Sequence, residues 1–261
     1  MEPVNKTQTS NAPDGLCGRR LGNYLIERVV GRGRMGVVYR AWDVALLRPT
    51  AVKVLAWELE NATDHSPAGW FLDEARHVAR INHPRVVQIY AVASHSDVRY
   101  IAMEFVDGPS AESLVEREGP LPLDRATGIL IDVAGALQAA HDAGVIHRDV
   151  KPANILIAQS DDGAKLGDFG LALSSRTIEE GRGRIRAGTP YYTAPELWQG
   201  TVASPSSDVY ALGATFYYLL TGKPPFYSGD ITAQIESKPP PTVTERRREF
   251  KTPGTPVPPE W

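Results

Sequence analysis

The run His147-Arg148-Asp149-Val150-Lys151-Pro152-Ala153-Asn154 puts an acid, a base and an amide on one short loop. Asp149 can accept a proton from, or orient, an attacking hydroxyl. Lys151 can neutralise charge on a transferring phosphoryl group. Asn154 offers a carbonyl oxygen to Mg²⁺, a hard cation that takes oxygen ligands. Each residue type alone is ordinary turn chemistry; their order together is not. Asp168-Phe169-Gly170 follows, and Asp168 can supply a second oxygen to the same metal.

Upstream, Val30-Gly31-Arg32-Gly33 and Gly36 form a glycine-rich turn whose backbone N–H groups can approach phosphates closely. A dinucleotide site needs a helix after such a turn. Here Val37-Val38-Tyr39-Arg40 alternates like a strand, which points to a β-hairpin over a nucleotide. Taken alone, the motif also fits an ordinary glycine hairpin. Lys53 shares a strand face with Ala51 and Leu55; such a lysine can instead simply extend its head to water. Glu74 lies on one helical stripe with Phe71, Ala75 and Val78. A carboxylate there needs a partner, because an unpaired buried charge is costly. Lys53 is the candidate, and the alternative is a charge at the stripe's edge.

These groups need a scaffold. Residues 1–21 carry no apolar period and are expected to form a disordered tail. Tyr24 to Val30, Val37 to Trp42, Thr50 to Leu55, Val86 to Ala93 and Arg99 to Phe105 are expected strands. Ala68 to Ile81 is an expected helix, stopped by His83-Pro84. Beyond Gly108 the pattern turns helical. Ile129, Val133, Leu137 and Ala140 make one stripe with Gly144 as its cap, and Val209 to Leu220 makes a buried helix. Lys238 to Trp261 is proline-rich with a basic cluster, Arg246-Arg247-Arg248. The expected class is α+β, in two lobes: a β-rich part over 22–103 and a mainly helical part over 104–261.

The 261 residues are 42% apolar and 23% charged, a soluble globular profile. The formal net charge of −3 gives no global basic field for nucleic acid or anionic membrane. A single cysteine, Cys17, rules out an internal disulfide framework and a Cys-rich zinc site. No stretch reaches the ~20 apolar residues of a membrane span, and no signal peptide is evident. A cytoplasmic location is expected, with a membrane anchor beyond residue 261 left open.

The motifs together resemble the eukaryotic-like serine/threonine protein kinases of bacterial type. They occur in the family's order: the glycine loop, Ala51-Val52-Lys53, Glu74, the His147–Asn154 run, Asp168-Phe169-Gly170, and Ala194-Pro195-Glu196. Lys151 and Gly188-Thr189-Pro190 look like the serine/threonine branch. The resemblance implies a bilobal kinase-like fold, with ATP and Mg²⁺ as cofactors and a protein substrate bearing Ser or Thr. It implies that adenine sits between Val38 and Ala51 on one side and Leu156 on the other. Met103 is then the gatekeeper, and Glu104 to Val106 the hinge. Val78, Ile89, His147 and Phe169 match an apolar stack that otherwise reads as plain core. His147 is a packing residue rather than an acid or base, and Asp208 resembles the helix-borne aspartate that holds the catalytic loop.

Arg148 ahead of Asp149 implies control by a phosphate on the activation loop. Thr177 is the candidate among Ser174, Ser175, Thr177 and Thr189. Arg182, Arg184 and Arg186 would be its partners, or else a solvated basic run. The chain departs from the pattern at Pro258-Pro259-Glu260-Trp261, where the family's second-last helix begins. In a truncated or naturally short chain, as opposed to a fragment of a longer one, the expectation is a large lobe without its last helices, without the arginine that pairs with Glu196, and with apolar surface on Val209 to Leu220 uncovered. Two rival readings accompany this one: a weakly active truncated kinase or pseudokinase serving as a nucleotide-binding interaction module, and a small-molecule kinase. The second would lack the platform at Gly188 to Glu196.

Overall fold

The computed structural model describes residues 13–33, 36–55, 75–95, 98–169 and 190–252. The chain divides into two compact units. One is Met1–Ala68 with Ile89–Phe105, the other Gly69–Gln88 with Val106–Trp261.

The first unit is a single sheet of β1 (Arg20–Leu21), β2 (Tyr24–Gly33), β3 (Gly36–Asp43), β4 (Arg48–Leu55), β5 (Ile89–His95) and β6 (Val98–Glu104). Its order is β1-β2-β3-β4-β6-β5, with every neighbouring pair antiparallel. Side chains alternate between faces along each strand. Val37, Tyr39, Ala41, Val52, Val54, Tyr100 and Ala102 therefore point one way and form the core with Leu21, Tyr24 and Ile26. Val38, Arg40, Ala51, Lys53, Ile101 and Met103 fall on the opposite face. The register pairs Val38 with Lys53, Arg40 with Ala51, Ala51 with Met103, and Lys53 with Ile101.

Arg20 and Leu21 pair with Leu25 and Tyr24, inside the stretch expected to be a tail. Leu21 is buried in the core cluster, so a single apolar residue anchors the sheet's first edge. The strand expected over Val86 to Ala93 is also revised. Val86 instead bridges in parallel to Leu166, and Val87 N–H donates to the Leu166 carbonyl, so these residues belong to the second unit. The strand itself runs Ile89–His95. Residues 75–78 are helical, with Ala75 and Val78 buried, whereas 68–74 of the expected helix lie outside the described residues.

The second unit holds α1 (Ala111–Glu118), α2 (Leu123–Asp142), the hairpin β7 (Ile155–Ile157) and β8 (Ala164–Leu166), α3 (Pro195–Trp198), α4 (Pro205–Thr221), α5 (Ile231–Ser237) and α6 (Val243–Glu249). In α2, Ala126, Ile129, Val133, Ala136, Leu137 and Ala140 are buried, a stripe of helical period. Ala143 is the capping residue, and Gly144, the expected cap, follows one position later in the left-handed region at φ 74°. Helix α4 opens with a capping box between Ser204 and Ser207 and with Pro205 in its first turn.

The apolar surface expected to be uncovered on α4 is largely buried. Ala211, Leu212, Ala214 and every residue from Thr215 to Thr221 are buried, while Val209 is exposed. The reason lies in the proline-rich stretch after it, which forms helix α6 through a capping box of Thr242 and Glu245. Tyr217 on α4 donates its hydroxyl to the Pro241 carbonyl. Arg246 of the basic cluster packs here as well. It is buried, donates to the Pro225 carbonyl at 3.1 Å and to the Tyr217 hydroxyl at 3.2 Å, and lies over the Tyr227 ring. Among the described residues, no helix is long and apolar enough to cross a membrane.

Candidate active site

The residues singled out in the sequence form two groups, one on each unit. On the first unit, Val38, Ala51, Lys53 and Met103 share the sheet face turned away from the core. Gly31 pairs with Val38 and Gly33 with Gly36, so the glycine turn extends from that sheet. Val30 falls within a register shift between Val29 and Gly31, where an extra residue bends the strand. A side chain at Gly33 would meet nothing within 4 Å, which leaves the backbone open to a ligand. Gly36 is different. Its φ is 144°, and a Cβ there would overlap the Val54 carbonyl oxygen, so close approach to β4 requires glycine. Arg32 lies on β2, and Glu104 ends β6, paired with Thr50. Glu74 and the Lys53–Glu74 pair fall outside the described residues, as do Gly170 and Ser174, Ser175, Thr177, Thr189, Arg182, Arg184 and Arg186.

On the second unit the loop residues come together. Lys151 Nζ donates to Asp149 Oδ1 at 3.0 Å and Oδ2 at 2.8 Å. Asn154 Nδ2 donates to the Asp149 carbonyl at 2.8 Å and to Asp149 Oδ2 at 3.0 Å. With its NH₂ so engaged, the amide keeps its oxygen as an acceptor. The β7–β8 hairpin explains how Asp168 joins it. Ile155 pairs with Leu166, and Gly167 N–H donates to the Asn154 carbonyl at 2.9 Å. Asn154 and Asp168 therefore lie at the same end of the hairpin. Asp168 is exposed and left-handed at φ 52°. Oxygen donors at one end of a hairpin are the ligand type that a hard cation such as Mg²⁺ takes. Leu156 sits on β7, where it bridges to Ser110, and Val106 is buried.

Two groups hold this loop. Asp208, 1% exposed on α4, accepts from the backbone N–H of His147 and of Arg148, each at 2.8 Å. It thereby secures Arg148 in the left-handed region at φ 66°, a costly conformation for a residue with a Cβ. His147 supplies the second tie. Its Nδ1 accepts the Asp149 N–H at 3.2 Å, so its Nε2 carries the proton given to the Gly167 carbonyl at 3.0 Å. Burial pushes the imidazole pKa below its ordinary value, against the raising fields of Asp208, Asp149 and Asp168. A neutral, doubly hydrogen-bonded ring, 4.5 Å from the Phe169 ring, is a brace between the loop and β8. His141, in the last turn of α2, also pairs with Asp208 at 2.8 Å. No spacing pattern marked it, because only the packing of α2 on α4 brings the two together.

A model described as the protein kinase domain matches residues 24–254. The chain belongs to this family. The kinase domain is 38% identical over 226 residues to the serine/threonine-protein kinase PrkC of Bacillus subtilis, which covers 85% of this chain and 34% of PrkC. It is 40% identical over 215 residues to PknE of Mycobacterium bovis, covering 82% of this chain and 37% of PknE. The chain thus spans about a third of the length of these curated relatives. Among solved structures, the PknI kinase domain of Mycobacterium tuberculosis superposes with a TM-score of 0.69 at 29% identity. The match covers 89% of this chain and 85% of that one. The bilobal kinase-like fold expected from the sequence is the fold of these relatives.

Proposed function

We propose that the chain transfers the γ-phosphoryl group of ATP to Ser or Thr hydroxyls of protein substrates. The arrangement of Asp149, Lys151 and Asn154 on a loop held by Asp208 and His147 carries this reading. Phosphoryl transfer is mostly positioning and electrostatics. Asp149, on its fixed loop, orients the acceptor hydroxyl and takes its proton. Lys151 keeps positive charge at the carboxylate's edge, where the transferred group arrives. Asn154 and Asp168 are the residues that would hold Mg²⁺, which when bound neutralises phosphate charge. Lys53 and the glycine turn from Val30 to Gly36 are the residues assigned to the phosphates, and Glu74 is assigned to Lys53. Val38, Ala51, Met103 and Glu104 on the first unit, and Val106 and Leu156 on the second, are the residues assigned to the nucleotide base.

The test is transfer of labelled phosphate to a generic Ser/Thr peptide. Asp149→Asn is expected to lower the rate at least ~10²-fold, the lower range for a positioned base. Near-full activity in that variant refutes the assignment. Equal background in both proteins refutes the kinase reading.

A further inference from the structure

Asn154 stands immediately before β7, and Asp168 two residues after β8. Each strand has three residues, and a two-stranded hairpin of that size is marginal by itself. Something else must fix the spacing of the two side chains. A third segment does so at β8. Leu166 N–H donates to the Arg85 carbonyl at 2.8 Å, and the Leu166 carbonyl accepts Val87 N–H at 2.9 Å. The Arg85 side chain reaches the opposite end of the same strand. Its Nε pairs with Asp132 Oδ1 of α2 at 3.1 Å, and its Nη1 with Asp161 Oδ2 in the hairpin turn at 3.0 Å. Asp132 Oδ2 also accepts the Ala164 N–H, the first of β8, at 2.9 Å. Arg85 therefore holds β8 at both ends.

The turn is shaped for this contact. A Cβ at Gly163 would lie 1.8 Å from Arg85 Nη1, so glycine there lets the guanidinium lie across the turn. Asp161 Oδ1 accepts the Gly163 N–H at 3.1 Å, which leaves Oδ2 to the arginine. The next residue, Asp162, is left-handed at φ 55° and is held by a second arginine. Arg125, in the first turn of α2, donates to it through Nε at 3.2 Å and Nη2 at 2.8 Å, a two-pronged contact. A single exposed ion pair contributes little, but linked pairs with good geometry contribute more. Arg85 and Asp132 are 28% and 22% exposed, so salt screens them less than a surface pair.

We infer that Arg85, anchored by Asp132 and Asp161, is a positioning residue for the divalent metal, because it fixes β8 and with it the place of Asp168 relative to Asn154. This rests on Asn154 and Asp168 as the metal-holding residues of the kinase function proposed above. Arg85 acts through the hairpin backbone, not as a ligand.

The probe is Mn²⁺, a stand-in for Mg²⁺ that electron paramagnetic resonance detects, titrated into the full chain with ADP present. Hydrogen exchange of the hairpin amides is followed by mass spectrometry, and folding by circular dichroism. Arg85→Met is expected to bind Mn²⁺ about tenfold more weakly, the low end for groups that orient metal ligands from behind, and to exchange the Ala164 and Leu166 amides faster. Gly163→Ala keeps every charge but displaces the guanidinium, and should weaken Mn²⁺ in the same direction. Asp161→Asn keeps an oxygen for the Gly163 N–H and removes only the ion pair, so it should do likewise. Arg117→Ala breaks the exposed pair with Glu118 and should bind Mn²⁺ as the wild type does. Wild-type Mn²⁺ affinity in folded Arg85→Met overturns the inference, as does an equal loss in Arg117→Ala. If Arg85→Met does not fold, wild-type affinity in both Gly163→Ala and Asp161→Asn overturns it. A wild type that binds no Mn²⁺ refutes the metal assignment and the inference with it. If Mn²⁺ binding falls as expected in the variants but the wild type phosphorylates no peptide, the role of Arg85 stands and the kinase reading fails.

Discussion

Replacing Asp208 by Asn removes one charge and one acceptor from a site that uses both. The two carboxylate oxygens accept the N–H groups of His147 and Arg148 separately, and Oδ2 also meets His141 Nε2. An asparagine amide has one oxygen, and its NH₂ would face a donor. At least one backbone N–H is then buried without a partner. A hydrogen bond to a charged group is worth ~1.5–3 kcal/mol, and a stranded buried donor costs ~1–3 kcal/mol more. The left-handed Arg148 adds a tendency to relax, since such a conformation stores ~1–3 kcal/mol. The expected destabilisation is ~3–5 kcal/mol, a large share of the ~5–15 kcal/mol that holds a typical domain. Urea unfolding followed by circular dichroism reads this value. In the fraction that remains folded, the loop no longer presents Asp149 in one geometry, so kcat for a Thr peptide falls at least ~10²-fold, as for loss of a positioned base. KM for ATP changes far less, because Val38, Ala51 and Met103 belong to the other unit's sheet. A variant within ~1 kcal/mol of the wild type and with unchanged kcat refutes the view that Asp208 holds the loop.

Acid should weaken the fold through His147. Its folded pKa lies below the ordinary value, so the unfolded chain takes up a proton that the folded chain refuses. That stability is complete above ~6.5 and is lost progressively as the pH falls below it. The urea midpoint should therefore drop between about pH 7.5 and about pH 5.5, and drop less in His147→Gln; parallel slopes contradict the brace. Arg246→Met should destabilise by ~2–3 kcal/mol by removing buried charge-assisted donors to Pro225 and Tyr217, whereas the exposed neighbour Arg248→Ala stays within ~0.5 kcal/mol. Equal effects of the two would return the cluster to a solvated surface. Gly36→Ala should lower the melting temperature and raise KM for ATP, because its Cβ overlaps the Val54 carbonyl, while Gly33→Ala leaves the melting temperature unchanged. Identical thermal shifts for the two glycine variants would contradict that distinction.

The order of motifs along the chain was enough to identify the family, because each chemistry-bearing residue sits in a local pattern that survives without neighbours. Alternation likewise put Ala51 and Lys53 on one strand face, since a strand's side chains have a period of two. Local pattern failed where partners were distant. The sequence marked Arg246 only as part of a basic cluster, and it is buried against Tyr217, Tyr227 and Pro225, residues supplied by α4 and the segment after it. Val86 read as part of a strand of the first unit, but its bridge is to Leu166 within the second. Asp149, Lys151 and Asn154 were legible as a set because they share one loop. Which nitrogen of His147 carries its proton, and that His141 meets Asp208, were decided only by tertiary structure. Both depend on groups brought close by the packing of α2, α4 and the β7–β8 hairpin, and no one-dimensional spacing encodes that proximity.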